Sequence, residues 1–113
     1  VTNSPERSML ASAGHYADGV VELFRLREAL EAKARALLAN RARLEARSWP
    51  GMTSDDPTEA GLRAEIRVLG ERIDALGGTG AMVDIWDELH RTAGPHASTA
   101  VDHAWHGVGR WAA

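Results

Sequence analysis

Leu23-Phe24-Arg25-Leu26-Arg27-Glu28-Ala29-Leu30-Glu31-Ala32-Lys33-Ala34-Arg35-Ala36-Leu37-Leu38 is the stretch on which the fold turns. It contains neither glycine nor proline, and most of its residues are strong helix formers. Large apolar side chains recur at Leu23, Leu30 and Leu37. The same spacing of seven reaches back to Tyr16 and Met9 and forward to Leu44. Residues seven apart fall on one stripe of a helix. Leu10, Phe24 and Leu38 widen that stripe on one flank, whereas the companion seam positions Ala13, Val20, Arg27, Ala34 and Arg41 are less apolar. Arg27 and Arg41 in a seam must snorkel or find acids such as Glu65, Glu71 or Asp74 across it.

Working outward, Ser4-Pro5-Glu6 supplies an N-cap, a first-turn proline and an acid. No proline follows until Pro50. The pattern predicts a helix over 5–48, about 65 Å long, with Gly14 and Gly19 as the two places where it could bend or break. Trp49 to Asp56 reads as a loop. Asp56-Pro57-Thr58-Glu59 repeats the start signal, with Glu59 placed for a capping box. A second helix over 57–76 carries Leu62, Ile66, Leu69, Ile73 and Leu76 at heptad seam spacing, and Gly77-Gly78 ends it. A third over 79–93 turns Met82, Ile85, Trp86 and Leu89 to one face before Gly94-Pro95. A fourth over 96–108 points Ala97, Val101, Ala104, Trp105 and Val108 inward.

The expected architecture is an all-α bundle of three to four helices, read as one domain over residues 1–113. Its core is an antiparallel hairpin between the long first helix and the second. The second helix, about 30 Å long, reaches only the C-terminal half of the first. The stripe from Met9 to Phe24 therefore needs another cover, from helices three and four or from a second chain.

Composition narrows the function. The chain has 113 residues, 44% of them hydrophobic and 26% charged, with a formal net charge of −3, which argues against disorder and against a dedicated nucleic-acid binder. Without cysteine there is no disulfide and no thiolate chemistry. No apolar run of about 18 residues marks a membrane span, and the N-terminus lacks the features of a secretory signal. A cytoplasmic protein is expected, or one incorporated into a virion. Twelve of the thirteen basic residues are Arg. With the many alanines, and with Val1 fitting a GTG start, this suggests a GC-rich source such as an actinobacterium or one of its phages.

Few constellations could carry chemistry. His103 and His106, three apart beside Asp102, share a helix face and could hold a divalent metal if His90 or Glu88 supplied a third ligand. Surface or capping histidines are the simpler reading, and no metal, cofactor or small-molecule ligand is expected. No nucleophile elbow, phosphate loop or dinucleotide fingerprint occurs. Gly77-Gly78-Thr79-Gly80 reads as a tight turn rather than an anion cradle. Lys33, Arg35, Arg41, Arg43 and Arg47 complement the dipole at the end of the first helix.

Four tryptophans stand beside one Phe and one Tyr. Trp86 and Trp105 read as core. Trp49 and Trp111 read as partner contacts, because tryptophan is enriched at interface hot spots. The expected interface therefore comprises Met9, Tyr16, Val20, Leu23, Phe24, Trp49 and Trp111, in a non-enzymatic interaction or assembly subunit that binds a protein partner or itself.

Trp49-Pro50-Gly51 between two helices resembles the Trp-x-Gly proteins of type VII secretion, small helical hairpins exported as dimers by actinobacteria. The resemblance implies a secreted hairpin and rests on the tripeptide and the hairpin alone. That family or its partners carry a Tyr-x-x-x-Asp/Glu signal after the second helix. Here the only tyrosine is Tyr16, and further helices follow. By architecture, small helical bundles also occur among phage head–tail connector proteins, a fold-level analogy.

Overall fold

The computed structural model describes residues 5–47 and 56–111, with side chains described from residue 18 onward. Met9 and Tyr16 as side chains, and Trp49 with the Trp49-Pro50-Gly51 tripeptide, lie outside the described residues. Three helices account for the architecture: α1 (Pro5–Ala46), α2 (Pro57–Ala93) and α3 (Pro95–Trp105). The all-α fold expected from periodicity is what the chain adopts, and α1 runs without interruption through Gly14 and Gly19.

The second and third expected helices are one element with a reversal inside it. Gly78 sits at φ 69°, ψ −168°, a region that is essentially restricted to glycine. Contacts with α1 show what this residue does. On the first arm of α2, Arg41 pairs with Glu59 and Lys33 with Glu65, so residue numbers fall on one helix as they rise on the other. On the second arm, Arg27 meets Glu88 and Thr92 meets Glu31, so the numbers rise together. The first arm is antiparallel to α1 and the second is parallel to it. Gly94, at φ 91°, ψ 176°, reverses the chain again, and Pro95 opens α3 at a position where its missing N–H costs nothing. The result is an up-down-up-down bundle with two one-glycine links.

The start of α2 follows the sequence signal in part. The Asp56 carboxylate accepts from the Glu59 N–H at 2.9 Å, the first half of a capping box. The Glu59 side chain does not return the bond. It lies buried and receives Arg41 through two nitrogens, at 2.9 and 3.0 Å. At the other end, α3 stops at Trp105, three residues short of the expected boundary, and a glycine-rich turn follows.

The core is continuous through all the segments. Leu30, Leu37, Ile66, Ile73, Met82, Leu89, Val101 and Trp105 are essentially inaccessible, and each such side chain contributes about 1.5–3 kcal/mol of burial. Trp105 sits against Gly70: a Cβ there would come within 2.4 Å of its indole nitrogen, and that nitrogen donates to the Ile66 carbonyl at 2.9 Å. Leu76, expected in the seam, is exposed instead. Its neighbour Gly77 takes the position facing Leu23, because the buried face of the first arm passes through Ile66, Gly70 and Ile73 and meets both α1 and α3.

Candidate interaction surface

Both seam arginines find acids, though not the ones expected. Arg41 takes Glu59, and Arg27 takes Glu88 at 3.2 Å. Glu65 pairs with Lys33, and Glu71 lies near Arg67 within its own helix. The basic run is largely engaged internally: Arg35 donates to the Thr92 carbonyl at 3.0 Å, and Arg43 to Asn40 at 3.3 Å. These cations brace the hairpin.

The histidines do not converge. His103 and His106 face each other edge-on with ring centres 6.2 Å apart. His106 lies 3.8 Å from Asp102, whose carboxylate already accepts from the Trp111 indole at 2.9 Å. His90 belongs elsewhere: it stacks on Trp86 and lies 2.8 Å from the Ser98 hydroxyl. Glu88 is held by Arg27 and Arg91. Among the described residues no three His, Cys, Asp or Glu side chains are grouped as a metal would require. The Ser98–His90 pair has hydroxyl-to-imidazole spacing, but Ser98 is only 1% exposed. It fastens α3 to the second arm of α2, together with the Trp86 indole on the Ser98 carbonyl at 2.8 Å. Sequence spacing gave no sign of this pair, because residues eight apart across a turn have no fixed relation.

The tryptophans divide differently from expectation. Trp105 is fully buried, and Trp86 is half-buried against the core. Trp111 packs on its own chain, 4.9 Å from Trp105 and perpendicular to it, and 6.1 Å from Trp86. Its indole bond to Asp102 and these ring contacts give it an internal role in closing the bundle.

Among the described residues, five of the six exposed large apolar side chains lie toward one end, and the sixth, Val68, lies along the first arm of α2 beside Ala29 and Lys33. Val20, Val21 and Phe24 on α1, Leu76 before the Gly78 reversal and Val83 after it are each roughly half exposed. All lie within two turns of the level at which α1 leaves the bundle. Between α1 and the second arm runs an open groove of about 320 Å³ lined by Val20, Leu23, Phe24, Arg27, Ala81, Asp84 and Ile85. The Arg27 guanidinium lies 4.7 Å from the centre of the Phe24 ring while it pairs with Glu88, so ring and cation form one wall. Val20, Leu23 and Phe24, three of the residues expected to make partner contacts, line this one groove, and Ala81 and Ile85 join them from an element the sequence did not link to it.

Among the described residues no helix is long and apolar enough to cross a membrane. Comparison with protein-family models, with curated proteins and with solved structures finds no match to this chain.

Proposed function

We propose that the chain is a non-enzymatic interaction or assembly subunit that works through the N-terminal half of α1. The observation that carries this reading is the half-exposed apolar surface of Val20, Val21 and Phe24 beside the Ala81–Ile85 groove. Contiguous exposed apolar surface of this kind marks contact sites more often than isolated exposed residues do. The bundle's polar side chains support the same reading, since its cations, its histidine beside Ser98 and its indoles serve the packing of the helices. A virion or connector-type subunit is the narrower form of the proposal, and it rests on fold-level analogy with small helical connector bundles.

Site-specific photocrosslinking tests it. A photoreactive residue placed at Val20, in the source cell or its extract, should yield an adduct of defined mass. The same residue at the exposed Thr99 of α3 should yield none. Equal labelling at both positions, or no adduct at Val20, overturns the reading.

A further inference from the structure

The start of α2 carries a reactive bond. Of the four prolines, only Pro57 follows an aspartate, Asp56. An Asp–Pro peptide is labile to acid because the aspartate carboxyl can attack the carbonyl carbon of its own residue. The new C–O bond closes a five-membered anhydride as the C–N bond to proline breaks. The proline nitrogen takes a proton and leaves as a secondary amine, and water opens the anhydride to two carboxyl groups. One peptide bond and one water are consumed, and no other reactant is needed. Attack by a neighbouring group owes its speed to proximity, so it requires a carboxyl group that is free to turn.

In the folded chain that freedom is withdrawn. One oxygen of the Asp56 carboxylate accepts from the Asn40 amide and from the Glu59 N–H, each at 2.9 Å. The Asp56 carbonyl oxygen, on the carbon that would be attacked, accepts from the Ala60 N–H at 3.0 Å. The leaving nitrogen belongs to Pro57, the first residue of the helix, where its φ suits the helical turn. Nucleophile, electrophile and leaving group are thus all tied into one cap. Asn40 reaches the cap from α1 and is 6% exposed. Its amide oxygen accepts from Arg43 at 3.3 Å, which turns its donor side toward Asp56. Arg43 is also the cation acting on Asp56 from α1. On α2 the nearest acid, Glu59, is itself met by Arg41 and Arg63.

We propose that the Asp56–Pro57 bond is a self-cleavage site that the folded cap holds shut, with Asn40 as the latch. Acid opens it: a protonated Asp56 is a weaker acceptor for Asn40 and Glu59, the cap loosens, and the carboxyl group reaches its own carbonyl. Cleavage would sever α1, with Val20 and Phe24, from the rest of the bundle.

The full chain tests this by intact-mass measurement after warm incubation at the lowest pH at which circular dichroism still shows the helices. In urea at that pH, fragments 1–56 and 57–113 should accumulate. Without urea they should form at least about tenfold more slowly, because the bond reacts only when the cap opens locally. Asn40→Leu, which keeps volume without the donor, and Asn40→Ala should cleave faster than wild type without urea and at the wild-type rate in urea. Asp56→Asn should give neither fragment in either condition. Equal wild-type rates with and without urea overturn the proposal, as do fragments cut at another bond. Wild-type protection in a folded Asn40 variant overturns the role of Asn40. A variant that has lost its helices should cleave at the urea rate even without urea, and protection there would also overturn it.

Discussion

At the scale of single residues, two contacts are the most exacting. Gly70 lies under Trp105 with no room for a Cβ. Gly70→Ala gains about 1 kcal/mol of helix propensity but forces a fully buried indole to move, an overpacking cost of about 1–3 kcal/mol. The expected net result is a lower urea midpoint, with loss of the Trp105 bond to Ile66 visible as an indole NH shift by NMR. The second contact is Arg41 on Glu59. The carboxylate is 2% exposed and the guanidinium side chain about a third exposed, so removing the cation strands a buried anion whose other cation among the described residues is Arg63, at 3.9 Å. Arg41→Met should destabilise by about 3 kcal/mol, whereas the double change Arg41→Met with Glu59→Leu should recover most of it. Denaturant unfolding of the three variants reads the difference. Neither contact was legible in the sequence. Which acid an arginine meets depends on the register between helices, and nothing local to Gly70 announces a tryptophan 35 positions away. The helix-start signal at Asp56 was legible, because a cap acts within its own first turn.

At the scale of elements, the punctuation of the chain was its most readable feature. Pro5, Pro57 and Pro95 open the helices, and Gly78 and Gly94 mark the reversals. The sequence could not show that the Gly78 link is so short that helical pairing runs up to it on both sides. Nothing lies within 4 Å of a Cβ built at Gly78, so the demand there is on the backbone alone. Gly78→Ala should cost about 1–3 kcal/mol, seen as a drop in thermal midpoint without loss of helix content in the folded state. The α2 cap gives the elements their acid sensitivity. The Asn40 amide, followed by the Glu59 N–H, holds the Asp56 carboxyl below its ordinary value. The Thr92 hydroxyl does the same for Glu31 across α1 and α2. A depressed folded value means stability that is complete above the unfolded pKa, about 4 for these carboxyls, and lost as pH falls through the folded one. Thermal midpoints should decline below about pH 4, and the decline should be shallower in Asp56→Asn, whose amide caps the helix without titrating.

At the scale of the whole molecule, the sequence posed the right question by showing that the second helix matches only half of the first. The structure answers part of it: Leu26 and Leu30 are buried in the bundle core and Leu23 packs against it, while Val20, Val21 and Phe24 stay half open. The one-glycine links govern time. Because consecutive segments pack against each other, many native contacts join residues close in sequence. Helical bundles of low contact order fold in microseconds to milliseconds. Encounter with a partner is limited instead by diffusion and orientation, so in dilute solution the bundle would close before any partner reached the surface at Val20, Val21 and Phe24.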